Sequence, residues 1–219
     1  MMKIDYRLNA LVDASLSDIA PLPELAAVAA LHGATIIQYR DKHGSTRHMI
    51  EQATLILEAL KATGVPFVIN DRVDVALACG ADGVHLGADD MDAHMARRLM
   101  GENAIIGMTV KNMEDAKRVA GSPADYACIG GVFETVSKVN PDAPVGLEGF
   151  RLLRAELKRE RPDMPVGAIA GISLDTLPGV IEAGADGVAV ISALFRAVDI
   201  AGATQAFRHA VDTALEKRQ

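Results

Sequence analysis

The chain has 219 residues, half of them hydrophobic but only 4% aromatic, with a formal net charge of −7 and a pI near 5.3. This acidic balance argues against nucleic-acid binding, which needs a basic face. No apolar run of about 18 residues occurs and no signal peptide is recognised, so we expect no membrane association.

Short β-branched runs alternate with longer segments of helical spacing. The predicted strands cover residues 7–12, 34–39, 67–69, 83–86, 105–108, 126–129, 166–170 and 187–191. The predicted helices cover residues 24–31, 46–62, 73–79, 92–100, 113–119, 150–161, 174–182 and 205–217. Eight strand–helix units are what a closed (β/α)8 TIM barrel requires, so we predict this α/β fold as a single domain over residues 1–219. An open doubly wound sheet is the alternative.

A repeated motif and one long connection support the barrel. Ala-Asp-Gly-Val occurs at residues 81–84 and again at 185–188, four strand–helix units later, as expected for positions half a barrel apart. Residues 130–149 contain Pro and Gly breakers with little periodicity, which predicts a long active-site loop.

The two cysteines lie in apolar stretches without a CxxC partner. Cys79 and Cys128 are therefore expected to be reduced core residues rather than a disulfide, a metal site or a nucleophile. We expect a cytoplasmic protein.

Polar residues gather at the carboxyl ends of the predicted strands, where barrel enzymes carry their active sites. Gln38, Arg40 and Lys42 alternate at the end of the second strand, so they share one side of it. Two fixed cations suit a phosphate or diphosphate group. The alternative is a solvated strand end in which Asp41 forms the salt bridge.

Asp71 and Asp90 follow neighbouring strands, so their carboxylates can converge on one hard cation such as Mg²⁺. No cluster of Cys and His favours zinc. Alternatively, each Asp caps the helix that follows it, at Arg72 and at Asp92.

Three further positions have a functional and a structural interpretation. His85 lies between apolar residues, and we favour a hydrogen-bonded histidine of the barrel interior over a general base. Lys138, beside the hydroxyl groups of Thr135 and Ser137, can fold over a phosphorylated ligand or can be an exposed lysine. Gly171 lies where barrels often bind phosphate through backbone N–H groups, or is an ordinary turn.

The ordered set of motifs resembles the thiamine-phosphate synthase family over nearly the whole chain. The matching residues are Gln38-x-Arg40-x-Lys42, Ile69-Asn70-Asp71-Arg72, Gly83-Val84-His85-Leu86-Gly87 followed by Asp90, Ile106-Gly107-x-Thr109, Thr135-x-Ser137-Lys138, and Gly184-Ala185-Asp186-Gly187-Val188 leading into Ile191-Ser192.

The resemblance implies a transferase that joins 4-amino-2-methyl-5-(diphosphooxymethyl)pyrimidine to thiazole phosphate, giving thiamine phosphate and diphosphate with Mg²⁺ as cofactor. It implies that Gln38 addresses the pyrimidine and that Asp71 and Asp90 bind Mg²⁺. The residues implied to hold the diphosphate are Arg40, Lys42, Asn70, Thr109 and Lys138, of which Arg40, Lys42 and Lys138 would be catalytic. Those implied for the thiazole phosphate are Thr135, Ser137, Gly171, Ile191 and Ser192.

Four positions depart from the family pattern. Gly131 and Glu134 stand where proline is frequent, Ser137 replaces a common Thr, and Ala170 replaces a common Gly. A Glu near an anion is unfavourable unless it points away, so Glu134 and Ala170 put the thiazole-phosphate contacts in question.

Two rival functions are kept open. A related thiazole tautomerase has a histidine two residues after the strand-five hydroxyl, where this chain has Lys111, and this difference together with Lys138 favours the synthase. A noncatalytic phosphate-binding barrel would not need Asp71 and Asp90. The expected partners are small phosphorylated molecules, and the oligomeric state stays open, with a homodimer as one option.

Overall fold

The predicted (β/α)8 barrel is confirmed in a computed structural model that describes residues 4–135 and 143–218. All strands are parallel and pair in chain order, and β8 pairs with β1, which closes the barrel. The strands are β1 (Leu8–Asp13), β2 (Ile36–Arg40), β3 (Phe67–Asn70), β4 (Gly83–Leu86), β5 (Ile105–Val110), β6 (Tyr126–Ile129), β7 (Val166–Ile169) and β8 (Gly187–Val190).

Helices connect consecutive strands on the outside of the barrel, and two more follow β8. They are α1 (Leu22–Leu31), α2 (Thr46–Leu60), α3 (Val73–Cys79), α4 (Ala93–Met100), α5 (Met113–Ala120), α6 (Gly146–Glu160), α7 (Leu177–Glu182), α8 (Ser192–Phe195) and α9 (Ile200–Arg218). A 3-10 helix, Ala14–Asp18, follows β1. Among the described residues, no helix is long and apolar enough to cross a membrane.

Several predicted boundaries are wrong. The connection predicted over residues 130–149 is shorter, because α6 already begins at Gly146. The seventh strand ends at Ile169 rather than at residue 170, since Ala170 has a φ of 87° and cannot continue an extended strand. The 3-10 helix and α8 were not predicted, because four or five residues are too few to show a helical period.

Two tyrosines fill the lower part of the barrel interior. A Cβ on Gly167 would lie 1.7 Å from a ring carbon of Tyr6, and a Cβ on Gly107 would lie 2.0 Å from the ring of Tyr126. The two rings are 4.8 Å apart, and both side chains are almost fully buried. Glycines on the strands therefore make room for large side chains that close the bottom of the barrel and leave space at the carboxyl ends.

The repeated Ala-Asp-Gly-Val motif belongs to a finer repeat. Asp82 precedes β4; its backbone N–H donates to the carbonyl of Phe67 (2.9 Å), and its carboxylate accepts the Phe67 N–H (2.8 Å). The same two bonds join Asp125 to Ile106, Asp186 to Val166 and, through a hydroxyl oxygen, Thr35 to Leu8. Each even-numbered strand is thus fixed to the strand before it, and the motif is part of the scaffold.

Candidate active site

Two adjoining cavities open at the carboxyl ends of the strands. The first has a volume of about 300 Å³, and the predicted site residues among its lining are Gln38, Arg40, Lys42, Asn70, Asp71, Asp90, Thr109, Thr135 and Ile191. The second, of about 420 Å³, is lined by Gly171 and Ser192 and shares Thr135 and Ile191 with the first. Ser137 and Lys138 lie outside the described residues.

Arg40 is held toward the first cavity by a carboxylate from the neighbouring strand. Its guanidinium donates to Asp13 at the end of β1, which also accepts hydrogen bonds from the backbone N–H (3.0 Å) and hydroxyl (2.7 Å) of Ser15. Burial raises the pKa of Asp13, but the bonds from Ser15 and Arg40 outweigh it and hold this pKa below its usual range. Asp13 is therefore ionised near neutral pH and keeps Arg40 in place.

Asp41 does not form the salt bridge that the alternative interpretation of this strand end predicted. Its carboxylate accepts the backbone N–H groups of His43 (2.9 Å) and Gly44 (2.8 Å) and so shapes the turn after β2. The interpretation of the strand end as a set of local salt bridges with Asp41 is wrong, since Arg40 pairs with Asp13 and Lys42 pairs with Asp71.

Asp71 and Asp90 are not helix caps. The residue before α3 is Arg72, without a side-chain cap, and α4 is capped by Asp92, which accepts the N–H groups of its first turn. Asp71 has a φ of 64°, a left-handed conformation that a non-glycine residue rarely adopts, and the Asp90 carboxylate accepts the Gly87 N–H (2.7 Å). The capping alternative is wrong for both residues.

The two carboxylates lie close enough to influence each other. Burial raises the pKa of Asp90, and the hydrogen bond and negative charge of Asp71 raise it further, against the Gly87 N–H and the positive charge of Lys42. Two carboxylates brought together beside a cation fit a hard divalent ion, which neutralises their repulsion. The residues described form no metal-binding cluster of three His, Cys, Asp or Glu, so water and ligand oxygens would complete the coordination.

In the lining of the first cavity, His85 links two hydroxyl groups. Its Nε2 lies 2.8 Å from Oγ1 of Thr109 on β5, and its Nδ1 lies 3.1 Å from the hydroxyl of Tyr126 on β6. The histidine is 6% exposed and its ring stacks with that of Tyr126. The prediction of a hydrogen-bonded histidine in the barrel interior is confirmed.

The second cavity is shaped by two left-handed residues after β7. Ala170 has a φ of 87° and Gly171 a φ of 65°. A Cβ on Gly171 would lie 2.5 Å from the carbonyl oxygen of Glu134 and 2.6 Å from the Cβ of Phe133. A glycine is therefore required at position 171 because the segment after β6 packs against it. Neither the phosphate-binding interpretation nor the ordinary-turn interpretation included this reason. The side chain of Glu134 is exposed.

A family model described as thiamine monophosphate synthase matches residues 8–194. The chain belongs to the thiamine monophosphate synthase family. A thiamine-phosphate synthase of Agrobacterium fabrum is 75% identical to it over 219 residues, which is 100% of both chains. One of Chloroflexus aurantiacus is 42% identical over 98% of this chain and 96% of its own.

The architecture of a solved relative agrees. The thiamine phosphate pyrophosphorylase from Pyrococcus furiosus superposes with a TM-score of 0.83 at 36% identity, over 97% of this chain and 98% of its own. The resemblance drawn from the sequence motifs to the thiamine monophosphate synthase family is therefore confirmed.

Lys111 and Asp115 line the cavity of this family member but were not among the predicted site residues. Asp115 is buried and accepts the backbone N–H of Lys111 (3.0 Å) and a guanidinium N–H of Arg118 (2.8 Å), which also donates to the carbonyl of Ala88 (3.1 Å). Lys111 follows Thr109 by two residues, the spacing that separates Arg40 from Lys42. That alternation was the signal that could have found it.

Proposed function

We propose that the protein is a thiamine-phosphate synthase. It transfers the aminopyrimidinyl-methyl group of 4-amino-2-methyl-5-(diphosphooxymethyl)pyrimidine to the nitrogen of thiazole phosphate and releases diphosphate. The proposal depends on one observation: cations and paired carboxylates converge at a cavity at the carboxyl ends of the strands, and a second cavity lined largely by loop residues adjoins it. Full-length identity of 75% to a thiamine-phosphate synthase supports it. We place the reaction in the cytoplasm, where the free thiols of Cys79 and Cys128 stay reduced.

In this proposal the first cavity receives the pyrimidine diphosphate. Gln38, which is almost fully buried, offers an amide at the depth where a pyrimidine would lie. Arg40, Lys42, Asn70 and Thr109 line this cavity and would donate to the diphosphate; we propose Lys138, which lies outside the described residues, as a further cation for it. Arg40 and Lys42 come from one strand end, so both charges act on one group.

The thiazole phosphate would occupy the second cavity. The residues we propose for it are Thr135, Ser137, Gly171, Ile191 and Ser192. Thr135 and Ile191 line both cavities, so the two substrates would meet at these residues. Such an arrangement brings the thiazole nitrogen to the carbon that loses the diphosphate.

The residues contribute position and charge rather than a nucleophile. The amino group of the pyrimidine ring stabilises the pyrimidinylmethyl cation that forms when the bond to diphosphate breaks, so diphosphate can leave before the thiazole nitrogen attacks that carbon. Arg40, Lys42 and Lys138 neutralise the charge that grows on the departing diphosphate. Asp71 and Asp90 would hold Mg²⁺, and the bound ion would supply positive charge that stabilises the departing diphosphate.

The test is a reaction of the purified protein with both substrates and Mg²⁺, followed by measurement of thiamine phosphate and diphosphate. We expect both products only when both substrates are present, and strongly reduced turnover in Asp71→Ala and Lys138→Ala. Absence of thiamine phosphate would refute the proposal. Incubation with the thiazole carboxylate phosphate tautomer alone tests the tautomerase, which Lys111 disfavours because a lysine stands where that enzyme has its histidine.

A further inference from the structure

We propose that Tyr126 and His85 position the hydroxyl proton of Thr109 so that it points into the first cavity as a hydrogen-bond donor to the diphosphate. The inference rests on the proposed diphosphate site and adds two positioning residues to it. His85 lines the first cavity together with Thr109, and the role proposed here for His85 and Tyr126 acts through Thr109.

The direction of the hydrogen bonds begins at Tyr126. Its side chain is fully buried, and burial raises the pKa of the phenol well above its usual value, so the hydroxyl keeps its proton. Within the part of the chain that the structure describes, the Tyr126 hydroxyl is hydrogen-bonded to Nδ1 of His85. A buried phenol proton needs an acceptor, so the hydroxyl donates and Nδ1 accepts.

The remaining bonds follow from that first one. A neutral imidazole that accepts at Nδ1 carries its hydrogen on Nε2, and Nε2 then donates to Oγ1 of Thr109 at 2.8 Å. With a lone pair of Oγ1 occupied by this bond, the Thr109 proton is directed away from His85. Thr109 is partly exposed and lines the first cavity, so the direction that remains includes the cavity.

The strands make this arrangement specific. His85, Thr109 and Tyr126 come from the neighbouring strands β4, β5 and β6, and the pairing register fixes their heights. Donation from Nε2 also polarises the Thr109 hydroxyl and makes it a stronger donor to an anion. A threonine without the histidine would keep its hydroxyl but lose both the orientation and the polarisation.

The expected hydrogen positions can be read by ¹⁵N NMR of the imidazole. We expect wild-type His85 as the Nε2–H tautomer, with an Nδ1 shift typical of a hydrogen-bonded acceptor that moves in Tyr126→Phe. A neutral His85 with its hydrogen on Nδ1 would overturn the proposal. This readout does not depend on any substrate.

The energetic consequence is tested by calorimetric binding of inorganic diphosphate with Mg²⁺. We expect Thr109→Val to weaken binding about tenfold, the lower limit for a hydrogen bond to a charged group, and Thr109→Ser to retain it. His85→Leu is expected to weaken binding about threefold in wild type, because polarisation is a fraction of a bond, and not at all in Thr109→Val. Equal effects of His85→Leu in both backgrounds would contradict the relay.

Tyr6→Phe is the matched control. Its ring packs against Tyr126, but its hydroxyl is not hydrogen-bonded to His85, so diphosphate affinity should not change. Failure of wild type to bind diphosphate would overturn the anion-directed part of the inference. If His85→Leu and Thr109→Val are coupled but the protein forms no thiamine phosphate, the proposed function is refuted and the positioning of Thr109 by His85 and Tyr126 is not. If the protein forms thiamine phosphate but the effects of the two variants simply add, the positioning is refuted and the proposed function is not.

Discussion

Asp71→Asn tests the proposed Mg²⁺ site with the least disturbance of the chain. Asp71 has a φ of 64°, and asparagine tolerates this left-handed conformation better than alanine does. The substitution therefore removes one negative charge while keeping the turn between β3 and α3. It should also lower the pKa of Asp90 toward its ordinary value, since the hydrogen bond and charge of Asp71 contribute to raising it.

The size of the effect follows from the charges around Asp71. Unit charges about 4 Å apart interact by about 4 kcal/mol near a protein surface, and a divalent ion by about twice that. Roughly half of this gain is offset, because the ion competes with Lys42 for the same carboxylate. An asparagine oxygen can still coordinate, so we expect a loss of about 2 to 4 kcal/mol, or roughly 30- to 1000-fold in Mg²⁺ affinity.

The assay is calorimetric titration of Mg²⁺ in the presence of diphosphate. Asp89→Asn is the control, because Asp89 lines the same cavity from the same loop as Asp90 and the variant changes the net charge equally. We expect this control to lose less than about threefold, as for a partly screened surface charge. If Asp89→Asn weakens binding as much as Asp71→Asn, the two-carboxylate site is refuted and only the overall charge matters.

Three further variants test the scaffold around the site. Ala170→Gly should stabilise the fold by up to about 2 kcal/mol in urea unfolding, because relief of the strain at a φ of 87° exceeds the entropy cost of glycine; a loss of stability would contradict the strain. Arg118→Met should lower Mg²⁺ affinity about tenfold, since it releases the loop that carries the second carboxylate, and should also lower the melting temperature, because it leaves the buried Asp115 without its ion pair; unchanged affinity would refute the link between Arg118 and the metal site. Asp125→Asn should lower the free energy of unfolding by about 3 to 5 kcal/mol, because it leaves the largely buried Arg97 without its ion pair. Asp82→Asn, for which the described residues provide no ion pair, should lower it by about 1 kcal/mol or less. Equal losses would contradict a stabilising role of the Arg97–Asp125 pair.

The sequence predicted the strands well because each is a short buried run with clear ends. β4 and β6 have the predicted boundaries, since glycine and aspartate residues mark where the chain turns. The end of β7 was missed because Ala170 is left-handed, a conformation that no local propensity suggests for alanine. Its cause is tertiary: the Ala170 carbonyl accepts the Phe133 N–H from the segment after β6.

The strand-end residues could be predicted because barrel topology alone brings strand ends together. Gln38, Arg40 and Lys42 needed only the alternation of one strand. The partner of Arg40 could not be predicted, because Asp13 lies 27 residues earlier and meets it only through the register of β1 with β2. Tyr126 was missed for the same reason, as its contact with His85 spans two strand pairings.

The choice between a cap and a metal ligand depended on offsets of one or two residues. A sequence predicts a helix start only to within a few residues, and within that range Asp71 and Asp90 were both reasonable caps. In the structure α3 begins at Val73, as predicted, with Arg72 before it, and α4 begins at Ala93, one residue after the predicted start, with Asp92 as its cap. The two carboxylates are therefore available at the cavity rather than bound to helix N–H groups. The left-handed backbone of Asp71, which places its carboxylate beside that of Asp90, has a cost in free energy. Helix capping does not explain this cost, whereas binding of a divalent cation would explain it.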